Sequence, residues 1–496
     1  MKKILKITLS MVMAVVCLFS FTGCKKKVSL TTTDAAKTVL NGVQTNGGIT
    51  AVYDGYLYFI NGTRENDGTK LTNTTRSAIY RVQYNADGTL GTDYEVVVDD
   101  LVGYTNGSLY FFGDYMYYAT PCADKNKKAT VLNGKTSFMR YDLVNKKTHE
   151  VYTTNLNDTK EVLSYEYYVV GTELHLVVFE TNNKTITSVK VDKKPTVNYV
   201  ISDVTACVLS ENNGTVVTKD ATADANSFVF YSKAHESVEQ DKVQTGNKVY
   251  KTSPSYDSSA VLYDGGETIS ILSIRNGKLI YANGSKLYAQ TFTGAEKESL
   301  VLDNAYVITQ NYSTDSSYMF LENADGTISV LYYDATSYGL NIITWKNGEL
   351  ETVNLHTFTK DDKLEFLTTV TLTETEEVEE GETAKSHEVT YLIFINSTKL
   401  YKIEIAFDGN YEDSAYASGV IQITSTVVNS ATGCLMPEVI GNNLYIFAKN
   451  SDDNPYLYKV DVTKDIKEIE KDEDKKATFV GVVDDTDEKK KEEEKK

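Results

Sequence analysis

The sequence predicts an all-β fold, a β-propeller built from eight four-stranded blades. Three observations lead to this prediction. Short segments of alternating aromatic and β-branched residues recur along the chain, turn residues separate them, and long windows of helical periodicity are absent from residues 48–483. Tyr is also in excess, with 36 residues against 17 Phe and one Trp. Its ring packs on a sheet while its hydroxyl reaches water, which favours strands.

The first 23 residues predict a lipoprotein signal peptide. Lys2, Lys3 and Lys6 precede a short apolar run, and Phe21-Thr22-Gly23-Cys24 resembles the bacterial lipobox. The resemblance implies cleavage before Cys24 and attachment of diacylglycerol to its sulfur. The alternative is an ordinary secretory signal followed by an incidental Cys. We therefore expect a lipid-anchored protein on the outer, extracytoplasmic side of the cell membrane, with Cys24 as its lipidation site.

Residues 24–47 predict a flexible, lipidated tether. Lys25-Lys26-Lys27 opens a polar run rich in Ser, Thr, Asn and Gly, and such a basic cluster adds weak attraction to anionic lipid headgroups. Removal of residues 1–23, which carry three Lys and no acidic residue, changes the formal charge from −19 to −22. So acidic a protein is not expected to bind nucleic acid, and we expect it to be a monomer.

Residues 48–483 contain eight segments that predict the blades. Their first residues lie about 55 residues apart on average, near the length of a propeller blade. Seven blades would result if one weak segment belonged to an insertion. We expect the ring to close by pairing of residues 48–52 with residues 479–483. The eight segments are 56–60, 115–119, 173–179, 227–232, 278–282, 318–321, 390–395 and 443–448.

Two stretches predict insertions on a propeller face, and the end of the chain predicts disorder. Residues 371–382 are rich in Glu and predict a charged extension between two strands, whereas residues 237–259 are rich in Ser, Lys, Gln and Asp. Residues 484–496 are almost all Asp, Glu and Lys, so they are expected to form a disordered tail.

The first blade carries a resemblance to a known family. Asp54-Gly55-Tyr56-Leu57-Tyr58-Phe59, followed by Ile79-Tyr80-Arg81-Val82 and Asp87-Gly88, is similar to the blade pattern of low-density-lipoprotein-receptor-type (YWTD-like) propellers and of a related propeller domain of unknown function in exported bacterial proteins. The receptor pattern has Trp-Thr-Asp where this chain has Phe59-Ile60-Asn61. The resemblance implies a propeller fold and no particular function, because propellers include enzymes, receptors and scaffolds.

Motifs that carry chemistry are scarce. His-Glu occurs at residues 149, 235 and 387, but no second His follows four residues after the first, and no Gly-x-Ser-x-Gly is present. Residues 85–89 and 323–327 echo part of a calcium loop but predict hairpin turns. We therefore assign no catalytic, cofactor-binding or metal-binding residue.

The remaining cysteines do not form a disulfide framework. Cys122, Cys207 and Cys434 are odd in number and widely spaced, so we expect small buried side chains, with one bridge and one free thiol as the alternative.

The expected function is that of a non-catalytic, extracytoplasmic binding or scaffold module that presents a propeller face to a protein, peptide or glycan. The lipid anchor, the repeat fold and the missing catalytic motifs favour it. The alternative is a cell-envelope carbohydrate-active enzyme, a hydrolase or lyase, with its site in the propeller channel. Converging Asp, Glu, His or Arg side chains from several blades would favour the enzyme.

Overall fold

The computed structural model shows a β-propeller. Within the residues that it describes, the chain forms 34 strands and no helix. Cys24 and residues 484–496 lie outside this part of the chain. The described residues are 28–32, 43–44, 47–63, 74–102, 108–123, 132–154, 163–170, 172–209, 229–239, 242–265, 267–275, 278–291, 306–309, 317–323, 325–346, 349–376, 385–407, 419–425, 428, 437–449, 454–467 and 476–483.

The strands of the first four blades follow one another along the chain. Blade 1 contains β2 (Val43–Gln44), β3 (Thr50–Tyr53), β4 (Tyr56–Ile60), β5 (Ile79–Gln83) and β6 (Glu95–Val98). Blade 2 contains β7 (Tyr110–Phe112), β8 (Tyr115–Ala123), β9 (Leu132–Asp142) and β10 (Lys147–Thr153). Blade 3 contains β11 (Leu163–Val170), β12 (Glu173–Glu180), β13 (Thr185–Val191) and β14 (Thr196–Ile201). Blade 4 contains β15 (Val204–Leu209), β16 (Val229–Glu239), β17 (Lys242–Ser253) and β18 (Tyr256–Gly265).

The last four blades repeat this order. Blade 5 contains β19 (Ile269–Arg275), β20 (Lys278–Asn283), β21 (Lys286–Thr291) and β22 (Tyr306–Thr309). Blade 6 contains β23 (Ser317–Glu322), β24 (Ile328–Asp334), β25 (Gly339–Lys346) and β26 (Glu349–Thr357). Blade 7 contains β27 (Leu364–Glu376), β28 (Ser386–Asn396), β29 (Lys399–Phe407) and β30 (Val420–Gln422), and β1 (Val28–Thr32) pairs with β27. Blade 8 contains β31 (Glu438–Ile440), β32 (Asn443–Lys449), β33 (Pro455–Asp461) and β34 (Thr478–Val480).

Eight blades are therefore confirmed, with neighbouring strands antiparallel throughout. The first strands of successive blades contact one another. This is seen for β11 and β15, for β15 and β19, and for β19 and β23, so the first strands lie around the axis. Because the blades are related by rotation, their first strands point the same way, and the turns between first and second strands all lie on one face. We call this the turn face. It carries residues 54–55 of blade 1 and 113–114 of blade 2.

Each pair of neighbouring blades is joined by buried apolar side chains. Strand β12 shows how one strand serves two neighbours. Leu176 and Val178 pack into the core shared with blade 2, whereas Val177 and Phe179 pack into the core shared with blade 4. Side chains alternate across a strand, so a strand between two blades carries apolar side chains on both of its faces. This explains the continuous apolar runs in the sequence.

The predicted strand pairing that closes the ring is wrong. Strand β34 pairs with β33, and β3 pairs with β4, because blade 8 takes all four of its strands from the end of the described chain. Blades 8 and 1 are joined instead by packing, by side-chain bonds and by one backbone hydrogen bond, from the Thr63 amide to the carbonyl oxygen of Pro455 at 3.2 Å. Asn61 donates from Nδ2 to the carbonyl oxygen of Val482 at 2.8 Å and accepts from the Val482 amide at 3.2 Å. Gly62, at φ 78°, also lies so close to Pro455 that a Cβ would meet its carbonyl oxygen.

Blade 6 explains the uneven spacing of the eight segments. Residues 318–321 belong to β23, the first strand of their blade, whereas residues 56–60, 115–119 and 390–395 belong to second strands. The second strand of blade 6 is β24, which begins at Ile328. The alternating pattern cannot tell a first strand from a second, because both carry apolar side chains that pack against the neighbouring blades.

The expected insertions have different outcomes. Residues 371–376 extend β27 beyond the length of most first strands, as the predicted charged extension requires, while residues 377–384 lie outside the described part. The stretch 237–259 is not a loop excursion. It belongs to the long hairpin of β16 and β17 and to the start of β18.

The range predicted as a tether contains two paired strands. β1 pairs with β27 and β2 with β3, each in antiparallel register. The predicted boundaries of the signal peptide, tether and tail stay predictions.

The two predicted hairpin turns are confirmed. The Asp87 carboxylate accepts hydrogen bonds from the amide and hydroxyl of Thr89, and Asp325 does the same for Thr327. These bonds hold the pKa of both carboxyl groups below its usual range. Their oxygens stabilise turns, as is common for Asp.

Candidate functional site: a tyrosine seam between blades 1 and 2

One face of blade 1 combines tyrosine rings with an arginine. Arg81, on β5, lies opposite Tyr58 of β4 in the strand register. Its guanidinium carbon sits 4.4 Å from the ring centroid of Tyr56, and its Nη1 donates to the Tyr58 hydroxyl at 3.3 Å. Nε and Nη2 donate to one carboxylate oxygen of Glu95, at 2.8 and 2.6 Å. Every hydrogen bond of Arg81 within the described residues thus goes to its own blade.

Blade 2 supplies the other side of this site. Phe111 of β7 stacks on Tyr53 with ring centroids 5.2 Å apart and meets Tyr58 edge-on at 5.1 Å. The Tyr53 hydroxyl crosses to the carbonyl oxygen of Gly113 at 3.1 Å. Tyr141 of β9 packs against the same core. We call the set formed by Tyr53, Tyr56, Tyr58, Arg81, Glu95, Phe111 and Tyr141 the tyrosine seam.

The tyrosine seam is buried at its base and open at the turn face. Phe111 and Tyr58 are 2% and 3% exposed, whereas Tyr53, Tyr56 and Tyr141 are partly exposed. The Arg81 and Glu95 side chains are 26% and 55% exposed. Burial raises the pKa of Tyr53, Tyr58 and Tyr141, so their hydroxyls are neutral donors and acceptors at neutral pH. Aromatic walls with a few placed polar groups are typical of ligand sites.

Blade 2 repeats the same arrangement toward blade 3. Tyr115 and Tyr117 of β8 take the places of Tyr56 and Tyr58, and Arg140 of β9 takes the place of Arg81. The Arg140 guanidinium carbon lies 5.2 Å from the Tyr115 ring centroid. However, Nη1 donates to the carbonyl oxygen of Asp192 at 2.6 Å and Nη2 to that of Lys193 at 3.3 Å. Both carbonyls belong to a turn of blade 3, so Arg140 joins blades 2 and 3, and we call this unit the closed counterpart.

The tyrosine seam was not identified from the sequence, although a signal is present. Both units read Tyr-x-Tyr on the second strand and carry Arg on the third strand, opposite the second Tyr. That repetition could have marked Arg81 and Arg140. Whether the unit is open or closed depends on the next blade.

Blade 7 holds a cluster of ionisable side chains that face blade 8. The Tyr391 hydroxyl donates to Glu374 at 2.7 Å, and a ring nitrogen of His387 lies 3.1 Å from the other oxygen of Glu374. Lys402, 1% exposed, donates from Nζ to the carbonyl oxygen of Val462 at 2.8 Å. Its ammonium also lies 5.1 Å from the Tyr391 ring centroid. A buried cation needs such partners, so Lys402 joins blades 7 and 8.

Two carboxylates on first strands, those of Glu166 and Glu374, belong to different blades and have separate partners. Glu166 of β11 is buried and accepts from the Tyr110 hydroxyl at 3.4 Å, while Glu374 of β27 is held by Tyr391 and His387. The five histidines also lie on five different blades, at residues 149, 175, 235, 356 and 387. Within the described ranges, no group of three or more His, Cys, Asp or Glu side chains could hold a metal ion.

The remaining predicted residues fall mostly outside the described part. This is true of Cys24 and Cys434, and of the side chain of Cys122. Cys207 carries a free thiol, packs at the edge of the core between blades 3 and 4, and has its pKa raised by desolvation. Among the described residues there is no helix long and apolar enough to span a membrane.

No protein-family model matches this chain, and no curated protein sequence matches it. Solved structures similar to it include one from a study of two prolyl endopeptidases, with a TM-score of 0.40, 10% identity and coverage of 76% of this chain and 48% of that chain. A post-proline cleaving enzyme from Rickettsia typhi has a TM-score of 0.38 and 11% identity, and the match covers 85% of this chain and 58% of that chain. The β-propeller domain of the Trilobed protease from Pyrococcus furiosus has a TM-score of 0.24 and 12% identity, and the match covers 61% of this chain and 93% of that chain.

This chain therefore spans about half the length of the two peptidases to which it is similar. The fold assignment rests on the strand pairing described above.

Proposed function

We propose that this protein is an extracytoplasmic binding module, held on the cell membrane by a lipid on Cys24, that binds a neutral glycan in the tyrosine seam. The observation that carries the proposal is the open arrangement of Tyr56, Arg81 and Glu95 at the turn face. A sugar ring offers a flat face of C–H groups for a tyrosine ring, and hydroxyls for a neighbouring donor and acceptor. Arg81 and Glu95 supply one of each.

Charge favours a neutral ligand. Asp54 and Asp114 are exposed on the turns that flank the tyrosine seam, and Glu95 lies within it. The formal charge of the whole chain is −19. Such a surface repels polyanions, so nucleic acid is not among the proposed partners.

The test is a titration of the protein with a panel of neutral oligosaccharides, followed by calorimetry. We expect Tyr56→Ala to weaken binding by roughly tenfold or more, because a ring in the middle of a site contributes most of the binding energy. Tyr115→Ala is the matched control and should leave binding unchanged, since Tyr115 holds the same place in the closed counterpart. Equal losses in both variants, or no binding by any oligosaccharide, would overturn the proposal.

The same titration separates the alternatives. Release of shortened oligosaccharides would favour the carbohydrate-active enzyme. Binding of an unstructured neutral peptide with the same loss in Tyr56→Ala, and no binding of sugars, would favour a peptide or protein partner.

The lipid anchor has a test of its own. Cys24→Ala is expected to release the protein from the membrane fraction and to abolish incorporation of labelled lipid, because stable anchoring needs the acyl chains. A Cys24→Ala protein that stays membrane-bound and labelled would exclude lipidation at this residue. Sedimentation of the released protein should give the mass of a monomer.

A further inference from the structure

Strand β1 connects the predicted anchor to a particular face of the propeller. β1 pairs with β27 in antiparallel register, with Val28 opposite Glu376 and Thr32 opposite Leu372. Strand β27 runs toward the turn face and ends there at Glu376, because the connection to β28 follows it. Val28 therefore lies at the far end of the extension of β27, on the turn-face side of the molecule.

The chain then enters blade 1 from the same side. Val43 of β2 lies opposite Tyr53, the last residue of β3 before the turn at residues 54–55. The backbone next exchanges hydrogen bonds with Leu109 of blade 2, which accepts from the Gly47 amide and donates to the carbonyl oxygen of Gly48. The Leu109 bonds lie at the end of β3 away from the turn face, whereas the pairings of β1 with β27 and of β2 with β3 place Val28 and Val43 at the turn-face ends of their partner strands.

Cys24 stands four residues before Val28, so their Cα atoms lie at most about 14 Å apart. A lipid at Cys24 must then enter the bilayer close to the end of β27. In the sequence, Lys25-Lys26-Lys27 fill this interval, and basic side chains next to a lipid anchor are attracted to anionic headgroups.

We propose that the pairing of β1 with β27 orients the propeller on the bilayer, with the turn face toward the lipid headgroups and the opposite face outward. This orientation rests on the proposed lipid at Cys24. It also deepens the proposed function, because the tyrosine seam opens on the turn face. A ligand in the tyrosine seam would lie between the propeller and the membrane, which restricts it to glycans close to the bilayer surface.

The test compares two positions at the ends of one strand. Thr172 and Thr181 are exposed and flank β12, with Thr172 at the turn face and Thr181 at the opposite face. Eight strand residues separate them, a height difference of about 25–30 Å. Full-length lipidated protein, with a fluorescent non-natural amino acid replacing Thr172 or Thr181, is reconstituted in phosphatidylcholine–phosphatidylglycerol vesicles that contain an acceptor-labelled lipid.

Energy transfer to the bilayer is expected to be roughly twofold or more greater from position 172 than from position 181, given that height difference. Replacement of residues 28–32 by a Gly-Ser stretch of equal length should reduce the difference, because Gly and Ser pair poorly as strands. The same replacement at residues 33–37 is the control and should preserve it.

The failures can be told apart. If the protein binds vesicles only when a different membrane anchor is attached to it, the lipid at Cys24 is refuted, and the orientation is refuted with it. Bound protein with equal or inverted transfer from the two positions refutes the orientation alone. An unchanged difference after replacement of residues 28–32 refutes the role of β1.

Discussion

The tyrosine seam and its closed counterpart differ in what the neighbouring blade offers. Arg81 and Arg140 stand at corresponding places and each lies over a tyrosine ring. Blade 3 presents two backbone carbonyls to Arg140, whereas Arg81 is held by Glu95 and Tyr58 of its own blade. The same side chains therefore join two blades in one case and line an open site in the other. The turn of blade 3 at Asp192 and Lys193 is therefore what distinguishes the surroundings of Arg140 from those of Arg81.

The largest expected effect comes from the base of the tyrosine seam. Phe111→Ala removes a buried ring that contacts both Tyr53 and Tyr58, so we expect a loss of about 3–5 kcal/mol in the free energy of unfolding. The control is Phe112→Ala, where the ring is partly exposed and faces blade 3. Urea denaturation measures both. Equal losses would show that the open site does not rest on a packed base.

The closed counterpart should respond to alkaline pH. Burial raises the pKa of Tyr117 to about 12 from 10.0, against a smaller opposing effect of Arg140. The folded state keeps this proton longer than the unfolded chain, so the contribution of Tyr117 is complete below pH 10 and is lost as the pH rises to 12. The loss is about 2–3 kcal/mol.

Tyr117→Phe cannot ionise, so its stability should decline less than that of the unchanged protein between pH 10 and 12. Urea denaturation at intervals across this range checks the prediction. A parallel decline in both proteins would contradict it.

The two arginines should differ in stability and in binding. Arg140→Ala breaks two hydrogen bonds between blades 2 and 3, so we expect a loss of about 1–2 kcal/mol in the free energy of unfolding. Arg81→Ala breaks a partly exposed ion pair within one blade and should cost only about 0.5 kcal/mol. Oligosaccharide binding should change in the opposite order. Equal destabilisation would erase the distinction between open and closed units.

The smallest effect is expected at Glu95. Glu95→Gln removes the charge of an exposed partner but keeps its shape, so the free energy of unfolding should change by less than about 0.5 kcal/mol. The change should shrink further in 0.5 M salt, which screens exposed charges. Thermal unfolding at low and high salt is the measurement. A loss as large as that of Arg140→Ala would mean that Glu95 holds the blade together.

Strand-level features were readable from the sequence because they depend on local alternation. The strand at residues 56–60 and the turn at residues 85–89, which follows β5, were correctly predicted. Residues 318–321 form the first strand of their blade, whereas the other seven segments form second strands, and the sequence pattern does not distinguish the two because both carry apolar side chains. The predicted closing strand was wrong for a related reason. Asn61 makes with its side chain the bonds expected of a strand, and no periodicity reports that.

By itself, the sequence determined the all-β class and the eight-fold repeat. These follow from side-chain alternation and turn chemistry, which act over a few residues. Only the tertiary structure decided which repeat is open, because Asp192 and Lys193 reach Arg140 from about 50 residues away in the chain. Contacts between blades join residues with no fixed spacing, so a local pattern cannot show whether an arginine meets a carbonyl or solvent.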